Sequence, residues 1–183
     1  MQKKGIRILA IDDSSFSRSD SNVLVIGVIG REDVVEGVIS FYVERDGADS
    51  TAKILGAISK SRFNGQVRII AMNGMVLGGL NVVDAYALNR RLGVPVIAVT
   101  RKRPHARLLE NAIRKSGKEI EKKISVLDRV NRSIHLTRRG GFYFQCLGIN
   151  DTGATVADNA VRLLRLAHMI ATGMANGESK GRL

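Results

Sequence analysis

The chain is short of almost everything that would staple, segment or anchor it. One cysteine, Cys146, stands among 183 residues, which excludes a disulfide framework. There are two prolines, and no Pro-rich, repeated or low-complexity tract divides the chain, so a single domain over 1–183 is expected. No apolar run approaches the roughly 20 residues that a bilayer-spanning helix needs, so no membrane partner is expected. The opening, MQKKGIRILAIDDSS, meets a carboxylate pair too early for a signal peptide, and with no disulfides the expected setting is the reducing cytoplasm.

Acidic charge is scarce as well. The 29 Lys and Arg face 17 Asp and Glu, a net charge of +12 with a pI near 10.4. Such an excess points to an anionic partner, DNA or RNA first. Its placement says more than its size. Between Arg101 and Arg139 there are 13 Lys and Arg against Glu110, Glu119, Glu121 and Asp128, so nine of the twelve excess charges fall in this segment. Arg101, Lys102, Arg103, Arg107, Lys122 and Lys123 are the expected nucleic-acid contacts.

Standard phosphate and hydrolase motifs are missing. There is no GxGxxG; the Gly74–Asn81 stretch lacks the Lys and Ser/Thr of a P-loop. One cysteine and three scattered histidines (His105, His135, His168) give no zinc spacing, and no GxSxG elbow occurs. His168 lies in an apolar helical stretch and reads as a packing residue.

What is present is hydrophobic patterning. Ile6–Asp12, Asn22–Gly30 and Val34–Val43 are β-branched runs separated by turn signals, so three consecutive strands open the chain. A helix is expected after Asp49, with Ala52, Leu55 and Ile58 on one face and Asp49, Ser50 or Thr51 as its cap. A buried strand over Val67–Asn73, a glycine-rich loop, a helix from about Asn81 to Leu92 and a strand over Val94–Val99 follow, the alternation of parallel strands and crossover helices. Pro104 suits the first turn of a further helix, and Lys118–Val130 has helical spacing, so the basic segment reads as largely helical. A strand over Phe142–Ile149 and a helix over Thr155–Met174 close the chain, with Asp151 as the expected cap and a polar tail, NGESKGRL.

Three opening strands followed by α/β alternation fit a mixed-sheet α/β domain of the ribonuclease-H-like kind. Ligands of open α/β sheets collect beyond the carboxyl ends of strands, where carboxylates can hold a divalent cation. Asp12 ends the first strand; Asp13 beside it must point to the opposite face. Glu44 and Asp46 follow the third strand.

Five blocks carry a resemblance. AIDDSSF (10–16), the stretch from Val35-Glu36-Gly37 to Asp46-Gly47-Ala48-Asp49, AMNGMVLGGLNVVD (71–84), LGVPVIAVTRKRP (92–104) and RLAHMIATGMANGESKGR (165–182) resemble an uncharacterised archaeal family that is itself similar to endonuclease V, a metal-dependent nuclease of ribonuclease-H-like fold acting on inosine-containing nucleic acid. The resemblance implies that Asp12 is the first-strand metal ligand and that the third-strand carboxylate falls on Glu44 or Asp46, with Asp12 and Asp46 as candidate ligands of magnesium or manganese. The nuclease's aspartate-glycine after the fourth strand falls on Asn73-Gly74, and its Gly-His near the last strand falls on Gly148-Ile149. An amide and an isoleucine thus replace a carboxylate and an imidazole. Two expectations follow: a divergent metal-dependent endonuclease using Asp12, Glu44 or Asp46, and Asn73, or a catalytically inactive nucleic-acid-binding or scaffold protein with the same fold.

Overall fold

The computed structural model describes residues 5–179; the end of the polar tail, from Lys180 onward, lies outside them. Three antiparallel strands open it: β1 (Ile8–Asp13), β2 (Asn22–Arg31) and β3 (Val34–Glu44). Then come α1 (Ser50–Lys60), β4 (Ile69–Asn73), the two-residue strands β5 (Val76–Leu77) and β6 (Asn81–Val82), α2 (Ala85–Leu92) and β7 (Val96–Thr100). The basic segment forms α3 (Ala106–Ser116), α4 (Ile120–Asn131) and β8 (His135–Arg139), followed by β9 (Phe142–Leu147) and α5 (Gly153–Asn176).

Seven strands make one sheet in the order β3-β2-β1-β4-β7-β9-β8. β1, β4 and β7 are parallel, and β9 returns antiparallel beside β7. This is the ribonuclease-H-like arrangement expected. Its upper edge gathers the ends of β1, β3, β4 and β7 and the start of β9, so Asp12, Glu44, Asn73, Arg101 and Phe142 all lie along one rim.

The period-2 alternation of the strands sorts the core into two layers. Leu9, Ile11, Ile70, Met72, Val96 and Ala98 face α1 and α2, where Ile54, Ile58 and Leu88 meet them. Ile8, Ala10, Ala71, Ile97 and Val99 face α5, whose buried positions Ala157, Ala160, Leu163, Leu164, Ala167 and Ala171 recur every three or four residues. The alanines let this helix lie close to the sheet.

Several local expectations are corrected. α2 begins at Ala85 rather than Asn81, because Asn81 is committed elsewhere: its Nδ2 donates to the Glu44 carbonyl (2.9 Å) and Asp49 Oδ1 (2.7 Å), and its Oδ1 accepts from the Ser50 N–H (3.1 Å). Asp84 caps α2 through the Ala87 N–H. Asp49 stands at the start of α1, but its side chain bonds Asn81 and the Glu44 N–H instead of capping. The buried face of α1 is Ser50, Ile54 and Ile58, with Ala52 exposed. Asp151 does not cap α5; its carboxylate pairs with Arg139 at 3.4 Å. Pro104 precedes α3 rather than entering it. The basic segment is not wholly helical, since His135–Arg139 pairs along β9.

Candidate functional site

Parallel pairing of β1 with β4 places Ile11 opposite Met72, so the next residues on each strand, Asp12 and Asn73, come side by side. Both have the side-chain parity of the α5 face. Asn73 Nδ2 donates to Asp12 Oδ2 at 3.3 Å, and the Asp13 N–H donates to Asp12 Oδ1 at 3.0 Å. From α5, His168 brings Nδ1 to within 3.0 Å of the same Oδ2. Asp12 is 1 % exposed. Burial, followed by the charge of Asp13, pushes its carboxyl up to about 8, against the opposing pull of the Asn73 and Asp13 donors. Among the described residues its ion-pair partner is His168, and none of the Lys and Arg.

His168 is the residue that sequence reasoning missed. It lies 156 positions from Asp12. Its one sequence signal was a lone imidazole on an otherwise apolar helix, since α5 presents its alanine and leucine face to the sheet and His168 follows buried Ala167.

Asp13 points away, as alternation requires. Its Oδ2 accepts from the Gly78 N–H at 2.7 Å, and burial raises its carboxyl while that hydrogen bond holds it back. Asp46 meets the same loop. Its Oδ1 accepts from the Leu80 N–H at 2.9 Å, and its own N–H donates to the Gly78 carbonyl. Asp46 holds a left-handed φ of 54°, and Gly79, at φ 87°, leaves no room for a side chain beside the Asp46 carboxylate. Lys123, expected on the surface, is 1 % exposed. Its Nζ donates to the Asp46 carbonyl at 2.6 Å, so it clamps this turn from α4 instead of facing a phosphate. Glu44 turns outward to Lys118 at 3.2 Å, with both side chains about half exposed.

The structure therefore joins Asp12 to Asn73 and His168, and ties Asp13 and Asp46 to the 78–80 loop. A pair of cations bridged by carboxylates does not fit the donors around Asp12: among the described residues no three His, Cys, Asp or Glu side chains group closely enough to hold a metal ion. A single divalent cation does fit the chemistry of the set, which offers one carboxylate, an amide oxygen on rotation of Asn73, and one imidazole.

Along the rim, Arg101, Lys102, Arg103 and Arg107 are exposed after β7, and Lys122 is exposed on α4. Two cavities flank the β4 end. One, of about 260 Å³, is lined by Asn73, Thr100, Arg101, Lys102, Phe142 and Leu164. The other, of about 310 Å³, is mainly apolar and is lined by Gly74, Met75, Thr100, His105, Leu127 and Gln145 among others. No helix among the described residues is long and apolar enough to cross a membrane.

The chain is similar over nearly its whole length to known proteins. A UPF0215 protein of Thermococcus sibiricus is 38% identical over 195 residues, covering 97% of this chain and 96% of its own. The crystal structure of a protein of unknown function from Archaeoglobus fulgidus is similar with a TM-score of 0.77 at 26% identity, over 92% of this chain and 98% of that one. Endonuclease V of Ciona intestinalis, solved with a DNA containing an inosine followed by a ribo-adenosine, shares the fold with a TM-score of 0.50 at 12% identity, over 95% of this chain and 83% of that one. Residues 4–175 match the sequence profile described as endonuclease dU, and the chain belongs to that family.

Proposed function

We propose that this protein is an endonuclease acting on nucleic acid, with its reacting phosphate at Asp12. The observation that carries the reading is a buried carboxylate, at the rim where α/β sheets bind ligands, that in a chain of net charge +12 has no lysine or arginine partner among the described residues. A carboxylate kept only for stability would be expected to take such a partner. The family's name makes deoxyuridine-containing DNA the first substrate to test.

Asp12, the side-chain oxygen of Asn73 and His168 would hold one magnesium or manganese ion, which supplies positive charge to neutralise a phosphate oxygen. The imidazole makes the set softer than an all-oxygen magnesium site. With His168 Nδ1 3.0 Å from Asp12 Oδ2, the pair would accept a proton from an attacking water when it is unprotonated and give that proton up to a departing oxygen afterwards. Arg101, Lys102, Arg103, Arg107 and Lys122 hold the backbone. The cavity containing Gln145 suits an extruded base, because a glutamine amide offers both a donor and an acceptor to the imide edge of uracil.

A second reading, binding without cutting, is favoured by Asn73, which brings no negative charge where a second carboxylate would strengthen cation binding. One experiment separates the two. Single-stranded DNA and RNA, unmodified or containing deoxyuridine or inosine, are incubated with the protein and magnesium or manganese, beside Asp12→Ala. Metal-dependent cutting that disappears in the variant supports the nuclease. Undiminished binding with no cutting under any condition supports the second reading.

A further inference from the structure

The rim carries an aromatic ring that neither the Asp12 cluster nor the core uses fully. β9 begins at Phe142, directly after the Gly140-Gly141 turn from β8. Phe142 is half-buried, on the α5 face that Asp12 and Asn73 share, and it lines the 260 Å³ cavity with Asn73, Arg101 and Lys102. The Arg101 guanidinium lies over its ring, 5.6 Å from the centroid. This exposed guanidinium covers the ring face, and a base stacking there would displace it toward the adjoining phosphates. Among the described residues Arg101, Lys102 and Arg103 have no carboxylate partner, so the mouth of the cavity is a concentrated, uncompensated positive charge.

We infer that this cavity is a stacking site for an unpaired base of single-stranded nucleic acid, with the base on the Phe142 ring and Arg101 and Lys102 on the adjoining phosphates. The inference rests on the nuclease reading for its partner class and adds strandedness and a named platform to it. Three strand spacings of about 4.8 Å separate β1 from β9, so the platform lies on the order of 14 Å from Asp12, and a short single strand can reach both. A duplex cannot offer an unstacked base to the ring without opening.

The same hairpin supplies an internal control. Tyr143 is the next residue, its side chain points to the opposite face, and Arg138 lies 5.5 Å from its centroid. It has the same chemistry on the wrong side of the sheet.

The test is fluorescence anisotropy at low salt, without divalent cations, using a labelled oligothymidylate and an abasic oligonucleotide of equal length. Base stacking of this kind contributes about 1–3 kcal/mol, so the thymidylate binds about 5- to 150-fold tighter than the abasic strand. Phe142→Leu removes that difference and keeps the abasic affinity; Tyr143→Leu preserves the difference. The chain has no tryptophan, so Phe142→Trp gives a single indole reporter. Its emission is quenched by the thymidylate and unchanged by the abasic strand. Equal affinity for the two strands, or an equal loss in the Phe142 and Tyr143 variants, or an indole indifferent to the base, overturns the inference while leaving the nuclease reading intact. Failure of both strands to bind overturns both.

Discussion

The two ends of the sheet treat a carboxylate in opposite ways. At the lower edge, Glu36 near the start of β3 is gripped by Arg7 at 2.6 Å and Arg31 at 2.6 Å, with an 8 % exposed side chain. Hydrogen bonding to Arg7 and Arg31 holds its carboxyl down at about 2, against the effect of burial. At the upper edge Asp12, more deeply buried, meets an amide, a backbone N–H and an imidazole, and its carboxyl rises to about 8, through burial first. Arg7 and Arg31 at the lower edge pair with a carboxylate, whereas Arg101 and Arg103 at the upper edge, among the described residues, do not pair with Asp12. The contrast separates a carboxylate paired with guanidinium groups from one held by an amide, a backbone N–H and an imidazole, the one that the proposed function assigns to a ligand.

The strongest way to break the comparison is to exchange the roles. Asp12→Ala is expected to lower cutting of deoxyuridine-containing DNA by about 10³-fold, the scale of losing a reaction-centre group, whereas Glu36→Gln leaves the rate per folded molecule unchanged. Gel-resolved single-turnover assays read both. Stability should follow the reverse order. Glu36→Ala takes the shared carboxylate from Arg7 and Arg31 and is expected to cost about 2 kcal/mol in urea unfolding.

The pH profiles sharpen the same contrast. Glu36 has a folded pKa below its unfolded value near 4.5, so its stabilisation is complete above about pH 4.5 and is lost as pH falls toward 2. Asp12 has a folded pKa above its unfolded value near 3.8, so its protonated form favours the fold and stability declines as pH rises from about 4 to about 8. In chelator, Asp12→Asn is therefore expected to unfold later than the parent at pH 8 and to match it at pH 4, while Glu36→Gln flattens the acid limb alone. Scanning calorimetry across pH 3–9 checks both limbs.

The smallest effect belongs to Glu44. Its exposed pair with Lys118 is worth at most about 0.5 kcal/mol, and Glu44→Gln is expected to leave stability within that margin and cutting within about twofold. A large loss of cutting in this variant would put the third-strand carboxylate back at the centre.

Much of this was legible in the residues. The three opening runs, the parallel strands and the placement of Asp12 and Asn73 on one rim follow from alternation and from the rule that parallel strands share an end. Opposite facings for Asp12 and Asp13 follow from a period of two. What was hidden depended on long-range pairing. A lone imidazole is all that marks His168 locally, and its role depends on a partner on the first strand. Lys123 reads like its neighbours Lys122 and Lys118 until α4 docks on the 44–47 turn and buries its ammonium. Strand β8, HLTRR, has too little apolar content to announce itself and is held by its partner β9. Asn81 looked helical until its amide was seen to be fully engaged.

The docking of α5 also fixes when the site can exist. Asp12 is synthesised 156 residues ahead of His168, which lies on α5. At about 5–20 residues per second, synthesis holds the two apart for roughly 8 to 30 seconds. During that interval a growing chain bears the acid without the imidazole and, beyond Arg139, the whole of its 101–139 basic segment. On the proposed function it would bind nucleic acid before it could cut, so helix α5 serves as a clock as well as a wall of the core.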